Sequence, residues 1–476
     1  MGGQNLIDRV IYLFLGGCSI SLMKTKPKTI TLIGAGLNGP LLSILLRQRG
    51  FAVEIYERRP DMREVRVNAG RSINLALSTR GIHTLKLAGL WSEMQKIIIP
   101  MRGRMMHSIA GELTFQPYGK NDAEVINSIS RSELNIALVN AAEEQGASIH
   151  FNQRCTDYDL KTGLLRLHDE EKDTHTNLQA DVVIACDGSA SAVRSEMLRL
   201  NRFNFSQQYL DYGYKELTIP AGSSGEHLLD SHALHIWPRG NYMLIALPNI
   251  DGTFACILFL PFEGADSFSS LTAESEVVRF FESRFPDAFR LMPQIAHNYF
   301  ANPTGTMITI KCSPWQVEGR SLLLGDAAHA IVPFFGQGLN AGFEDCACLI
   351  NLLDDYGDDW QRVFHEFEIE RKLNTDAIAD MAIENFTEMR DRVADTRFLF
   401  RKKVELALEA KFPKRFVPKY AMVTFLRVPY SVAMARGVVQ DRILAQLCDA
   451  IDRVEDLDWE KAAQLICRDL SPLEIN

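Results

Sequence analysis

Three glycine-bearing segments hold most of the chemistry this sequence could perform: Gly34-Ala35-Gly36-Leu37-Asn38-Gly39, Cys186-Asp187-Gly188 and Leu324-Gly325-Asp326-Ala327-Ala328-His329. In the first, Gly34 permits a sharp turn, Gly36 lets the backbone approach a pyrophosphate, and Gly39 lets a helix pack closely on a sheet. About 20 residues further on, Glu57 stands where a carboxylate would accept hydrogen bonds from a ribose, and it favours an adenosine with a free 2′-hydroxyl over a 2′-phosphate. Asp187 and Asp326 each follow an apolar run. A carboxylate at Asp326, ahead of a small-residue helix, can accept a hydrogen bond from a ribityl hydroxyl. In this order the three segments describe a site that grips FAD at both ends of the molecule.

Such a site needs strands to deliver the residues. Thr29–Ile33 reads as a buried parallel strand, and Leu41–Leu46 as a helix stopped by Gly50 whose N-terminus offers unpaired N–H groups to phosphates. Ala52–Tyr56 is the strand that delivers Glu57, and Asp181–Cys186 the one that delivers Asp187. Arg131–Gln145 has an amphipathic helical pattern between them. From Tyr209 to Phe262 the pattern changes to longer strands, Ala233–Trp237, Met243–Pro248 and Thr253–Phe259, with Asn249-Ile250-Asp251-Gly252 as a hairpin turn. Ser321–Leu324 returns to the parallel sheet, and beyond Asn340 the chain reads as mostly helical. The expected fold is α/β: a doubly wound, Rossmann-like FAD-binding domain with an inserted antiparallel-sheet substrate domain and a C-terminal helical region. The boundaries are 1–27 for an N-terminal extension outside the fold, 28–205 and 301–375 for the two parts of the FAD-binding domain, 206–300 for the insert and 376–476 for the helical region.

After the third segment comes Ile331-Val332-Pro333-Phe334-Phe335-Gly336-Gln337-Gly338-Leu339-Asn340. Pro333 stiffens this loop, and Gly336 and Gly338 free backbone N–H groups to reach the edge of an isoalloxazine ring. A helix N-terminus near Leu339 and Asn340 would stabilise negative charge on the reduced ring. His329 reads as a hydrogen-bonded packing histidine in preference to a catalytic base. No second GxGxxG is present for a resident NADPH, so the nicotinamide would visit a shared surface.

Bulk properties exclude several classes. The 476 residues carry a net charge of −9 with no basic stripe interleaved with aromatics, which argues against nucleic acid. The nine cysteines are odd in number and scattered, the pattern of reduced thiols in a cytoplasmic protein. With no Cys-x-x-Cys or His-x-x-x-His, no metal is expected. No run of 18 apolar residues offers a membrane span. Within Leu6–Met23 the stretch Val10–Leu15 is apolar, but Asp8 and Arg9 leave its leading part without the net positive charge of a signal peptide; Met23 is read as the working start after an upstream start codon.

Together the three segments resemble the single-component, FAD-dependent aromatic hydroxylases. Gly70–Ser78, Ile99–Met105, Leu234–Arg239 and Gly325–Asp345 are similar to the branch of that family that hydroxylates L-kynurenine at ring position 3, and the resemblance runs from about Thr29 to about Val428. It implies tightly bound FAD, NADPH as a transient co-substrate, dioxygen as oxidant, and flavin-borne chemistry with no catalytic protein residue. It implies that Arg104 pairs with the substrate carboxylate, a role suited to a guanidinium fork. Tyr118 would bind the same group, and Asn385 and Tyr420 would supply the remaining polar contacts. The residues alone read Asn385 as a helix-surface position and Tyr420 as a packing tyrosine. Toward FAD the resemblance adds Asn38, Glu57, Arg58, Ala76, Arg131, Cys155 (through its backbone), Asp326, Leu339 and Asn340, while the Asp187 segment would serve both FAD and NADPH. Eukaryotic members carry a membrane-anchoring C-terminal segment. Here the tail from Asp441 is charged and amphipathic, with Leu444, Leu447, Ile451 and Val454 at helical spacing, and is expected to pack as a helix near the substrate cavity. The rival readings are a sister hydroxylase acting on another aromatic acid, a flavin halogenase (whose Trp-x-Trp-x-Ile-Pro signature is missing) and a flavin-binding interaction protein without NADPH turnover.

Overall fold

The run Thr29–Ile33 is buried on both faces, Ile30 and Leu32 on one and Thr31 and Ile33 on the other, the pattern of a parallel strand covered from two sides. In the computed structural model, which describes residues 29–64, 73–391, 396–449 and 451–474, it is a central strand of a six-stranded sheet. The order across that sheet is Gln316–Val317, Ser321–Leu323, Val182–Ala185, Thr29–Ile33, Ala52–Tyr56, Ser148–His150. All neighbours are parallel except the first pair. The register sets Ile33 beside Tyr56 and Ala185, and Ala185 beside Leu323. The carboxyl ends of four strands therefore finish level, and Gly34, Glu57, Asp187 and Asp326 emerge side by side at one edge, the usual ligand position in open α/β sheets.

Local chemistry fixes the turn after the first strand. Gly34 has φ +102°, and a Cβ there would lie 2.5 Å from the Cys186 carbonyl oxygen. Its N–H donates to Tyr56 O at 2.8 Å. The helix Asn38–Arg47 follows at once and packs against Arg131–Glu144.

A seven-stranded sheet forms the second layer, in the order Thr304–Ser313, Asn204–Ile219, Phe254–Pro261, Met243–Pro248, Ala233–Pro238, Gly103–His107, Leu113–Pro117. Its neighbours are antiparallel except Ala233–Pro238 beside Gly103–His107. The hairpin 103–117 and the strand 304–313 both lie outside 206–300, so this sheet draws on chain from both sides of the expected insert. Its central strands are covered on both faces. Trp237, Leu244, Ala246 and Leu258 pack against Val277, Phe281 and Ile295 of the helices Glu274–Arg284 and Ile295–Ala301. The alternate residues Met243, Ile257 and Phe259 face the other way and meet Phe334, Phe335 and the helical region.

The rest is helical: Gly338–Tyr356, Trp360–Asp391, Thr396–Lys411, Lys419–Thr424, Tyr430–Cys448 and Trp459–Asp469. Tyr430–Cys448 carries Leu444 and Leu447 into a cluster with Val404, Leu408 and Phe416. Ile451 and Val454 lie beyond this helix. The Arg397 guanidinium donates to the carbonyls of Cys448, at the helix end, and Ile451, just beyond it. The tail thus packs on Thr396–Lys411 and Tyr430–Cys448, and among the described residues nothing after Tyr420 lines the cavity. Residues 1–28, with the reading of Met23, lie outside the described residues, as do Gly70–Ser72. Eight described cysteines are free thiols. Among the described residues no helix is long and apolar enough to cross a membrane, and no group of three His, Cys, Asp or Glu side chains could hold a metal ion.

Candidate functional site

A cavity of about 790 Å³ opens where the level strand ends meet the inner face of the seven-stranded sheet. Its lining falls into two sets. Gly34, Gly36, Asn38, Glu57, Arg58, Ala76, Arg131, Cys155, Asp187, Asp326, Pro333, Gly338 and Leu339 form one; Arg104, Tyr118 and Tyr420 belong to the other. Of the positions singled out from sequence, Gly39, Asn340 and Asn385 do not line it.

The first set is built around turns at strand ends. A Cβ on Gly36 would meet nothing within 4 Å, so this glycine faces open cavity, whereas a Cβ on Gly39 would lie 2.1 Å from Gly34 O. Glu57 is buried. Its Oε2 accepts the Ala35 N–H at 2.7 Å and its Oε1 accepts Arg59 Nε at 2.8 Å. Burial opposes its charge, but Arg59 and the Ala35 N–H outweigh burial and hold its carboxyl below the usual range. Asp187 Oδ2 accepts the Ala192 N–H at 2.7 Å, while Oδ1 is buried without a protein hydrogen-bond partner. Burial pushes this carboxyl up. Cys155 is a buried strand residue on the cavity lining whose Sγ lies 3.7 Å from Asp157 O.

The Pro333 loop and the helix Gly338–Tyr356 are held by Asn340. Its Nδ2 donates to Ala76 O at 2.8 Å and Gly336 O at 2.9 Å, and its Oδ1 accepts the Ser78 N–H at 2.9 Å. Asn340 is thus a brace behind the lining. Gly325 has φ +63°, and a Cβ there would lie 2.0 Å from Asn38 Nδ2, which ties the third segment to the first. His329 is buried with Nε2 2.6 Å from Asp345 Oδ2, the packing role read from sequence.

The second set consists of side chains from distant chain positions. Arg104 stands on the strand Gly103–His107 opposite Gln116, and Tyr118 follows the partner strand, so one hairpin presents both. The Arg104 guanidinium lies 5.4 Å from the Tyr118 ring centre and 5.1 Å from that of Tyr420. The two tyrosine rings stack at 6.0 Å, and Tyr420 stacks on Phe335 at 5.6 Å. Arg104 Nε is buried without a protein hydrogen-bond partner. Asn385 is buried, and its Nδ2 donates to Phe334 O at 2.6 Å, behind the loop and off the cavity wall.

Sequence reading missed the apolar wall between the two sets. Leu234, Met243, Ile245, Leu247, Ile257 and Phe259 line it from the seven-stranded sheet. Their period of two was legible within each strand, but the alternate residues are mostly apolar too, so nothing local marked which face was the cavity.

The donor set fits FAD. An unobstructed glycine beside a helix N-terminus suits a pyrophosphate, the unpartnered Asp187 Oδ1 suits a hydroxyl, and the Pro333–Leu339 backbone faces the same cavity as the apolar wall. The unpartnered Nε of Arg104, a cation set against two stacked tyrosine rings, suits a carboxylate on an aromatic molecule.

Comparisons with known proteins bear on the same residues. The FAD binding domain family matches residues 28–358. A protein of Myxococcus xanthus named kynurenine 3-monooxygenase is 51% identical over 452 residues, 95% of this chain and 97% of its own length. Proteins of the same name from Flavobacterium psychrophilum and Dictyostelium discoideum are 45% and 44% identical, over 91% and 92% of this chain and 96% and 97% of their own lengths. Among solved structures, a tetrameric form of 2-methyl-3-hydroxypyridine-5-carboxylic acid oxygenase superposes with a TM-score of 0.64 at 19% identity, covering 79% of this chain and 96% of that one. Tetracycline destructase Tet(51) superposes with a TM-score of 0.57 at 16% identity, over 87% and 97%. At such identities the structural likeness speaks to fold alone.

Proposed function

This chain belongs to the kynurenine 3-monooxygenase family, and from that premise we propose that it hydroxylates L-kynurenine to 3-hydroxy-L-kynurenine with FAD bound, NADPH as reductant and dioxygen as oxidant. The observation that carries this reading is Arg104: a cation set against two stacked tyrosine rings, with Nε unpartnered, on the wall of the cavity that also holds the dinucleotide-type turns. When bound, FAD supplies the redox chemistry and the activated oxygen.

The protein's own residues orient and enclose. Arg104 pairs with the substrate carboxylate, and Tyr118 and Tyr420 donate hydrogen bonds beside it. The wall formed by Leu234, Ile245, Ile257 and Phe259 excludes water from the aromatic ring. Gly34, Gly36, Asn38 and Gly39 make the pyrophosphate turn, Glu57, Arg58, Arg131 and Cys155 hold the adenosine side, and Asp187 and Asp326 take hydroxyls of the connecting chain. Pro333, Gly338 and Leu339, with Ala76, face the flavin ring, and Asn340 braces them. Asn385 acts through Phe334. Segments 28–205 and 301–375 serve FAD, and 206–300 with the hairpin 103–117 roofs the substrate. Buried free thiols support a cytoplasmic location.

Mass spectrometry of the product formed from kynurenine, NADPH and dioxygen is the direct test. A product one oxygen atom heavier, hydroxylated on the ring, is expected. NADPH oxidation that ignores kynurenine and responds to a hydroxybenzoate would replace this reading with that of a sister aromatic-acid hydroxylase.

A further inference from the structure

Arg80 is a charged side chain that the reaction does not use, yet it is 1% exposed. A buried guanidinium is costly unless it is paired and hydrogen-bonded, and here all three nitrogens have partners. Nε donates to Val423 O at 3.2 Å, Nη2 donates to Val428 O, and Nη1 pairs with Glu344 Oε1 at 2.5 Å. The guanidinium carbon lies 3.9 Å from the centre of the Tyr430 ring. Tyr430 is itself fully buried, and its hydroxyl donates to Gln337 Oε1 at 2.8 Å.

These partners belong to both halves of the site. Val423 lies in the helix Lys419–Thr424, one turn beyond Tyr420, which stands on the cavity wall. Gln337 directly precedes Gly338 and Leu339, which line the cavity from the Pro333 loop. From Glu344 the network continues: Arg371 Nη1 pairs with Glu344 Oε2 at 2.7 Å, Arg371 Nε pairs with Asp345 Oδ1 at 2.7 Å, and Asp345 Oδ2 accepts the Gly325 N–H at 3.1 Å. Gly325 precedes Asp326. Two arginines thus face two carboxylates, with His329 Nε2 also on Asp345 Oδ2, so each buried charge has an opposite partner.

We propose that Arg80 is a positioning residue that fixes the Tyr420 helix against the Gln337–Leu339 turn, and so sets the substrate's distance and angle to the flavin ring. This rests on the function proposed above. A planar fork can hold two carbonyls and a carboxylate in one geometry, whereas a lysine is a single point charge. Loss of the fork leaves both pockets present but out of register, so the fault appears in turnover more than in binding of either partner.

The test begins with the unaltered protein, then compares Tyr430→Phe, Arg80→Lys and Arg80→Ala by FAD content, KM and kcat for kynurenine, and the change in flavin absorbance on adding kynurenine. Tyr430→Phe removes one hydroxyl and keeps the ring beneath Arg80. It should retain FAD and an unchanged KM, lower kcat by roughly threefold to tenfold, the cost of one neutral hydrogen bond, and shift the kynurenine-induced absorbance change. Arg80→Lys should show the same signature, larger, and Arg80→Ala should lose FAD or fail to fold. The inference is overturned if Tyr430→Phe and Arg80→Lys both keep the kcat and the absorbance response of the unaltered protein, or if they lose only thermal stability. Absence of kynurenine turnover in the unaltered protein would sink the parent reading and this inference with it, so the two failures are distinguishable.

Discussion

The two halves of the cavity are made in different ways. The dinucleotide half is assembled from turns at the ends of adjacent parallel strands, where Gly36 leaves the backbone open to the cavity. The substrate half is assembled from side chains on a hairpin at 103–118, a helix at 419–424 and the inner face of a sheet. In the first half, strand register alone brings Gly34, Glu57, Asp187 and Asp326 together. In the second, Arg104, Tyr118 and Tyr420 meet only once the helical region has packed onto the sheet. A binding site that relies on backbone is specified by where side chains are missing. One that relies on side chains is specified by long-range packing.

The strongest way to break this contrast is to add side chains to the first half. Gly39→Val should not yield folded protein, because its Cβ would lie 2.1 Å from the Gly34 carbonyl oxygen with no flexible group to give way. Gly36→Val should fold, because nothing lies within 4 Å of the added Cβ, and should purify without FAD. Visible absorbance per chain and thermal unfolding separate the two outcomes. A fully flavin-loaded Gly36→Val would remove the pyrophosphate from this turn.

Next in size is Arg104→Ala, which should leave FAD content intact. A charge-assisted pair lost from a closed site costs about 2–5 kcal/mol, so KM for kynurenine should rise roughly 30-fold to several-thousand-fold. A change under about twofold would be below the worth of a single weak hydrogen bond and would take Arg104 out of the substrate half.

Asn385→Ala sharpens where the substrate half ends. The family resemblance makes Asn385 a substrate contact, but here it is buried behind the loop with Nδ2 on Phe334 O. Its loss should loosen the Pro333–Gly336 turn, lowering kcat about threefold to tenfold with KM nearly unchanged. A KM rise like that of Arg104→Ala with kcat intact would put Asn385 on the cavity wall.

What could be read from sequence follows the same division. The strands Thr29–Ile33 and Ala52–Tyr56 have the bounds their apolar runs suggest, and each delivers its functional residue at its end. The hairpin 103–117 gave no such signal. Leu113–Pro117 is an exposed edge strand, and the parallel pairing of Gly103–Met106 with Ala233–Ile236 spans more than a hundred residues. The Arg80–Glu344 pair is separated by 264 residues, and neither residue sits in a local pattern that marks it. The helical tail was recognisable by its spacing, but the cap on its end at Cys448 is Arg397, which comes from another helix. Local motifs report local geometry. Tertiary partners of this kind have no spacing to report.

The smallest expected effect concerns the Tyr420 hydroxyl, and it tests whether the substrate half works by charge or by neutral donors. Burial raises the Tyr420 phenol above its ordinary value, with Arg104 opposing, and burial likewise raises Tyr118. A raised phenol pKa keeps the neutral O–H form to higher pH, and the ordinary value is already about 10. Neither ring therefore loses its proton between about pH 7 and pH 9, and Arg104 keeps its charge across that range. The KM for kynurenine should show no change arising from either tyrosine over that interval. Tyr420→Phe should raise KM about twofold to tenfold, the worth of one hydrogen bond, by the same factor at both ends of the interval, because the ring contact with Phe335 survives. A KM that climbs with pH in the unaltered protein but stays flat in Tyr420→Phe would mean that the phenol ionises within the working range. The carboxylate would then meet a phenolate beside Arg104, and the substrate half would depend on protonation where the dinucleotide half does not.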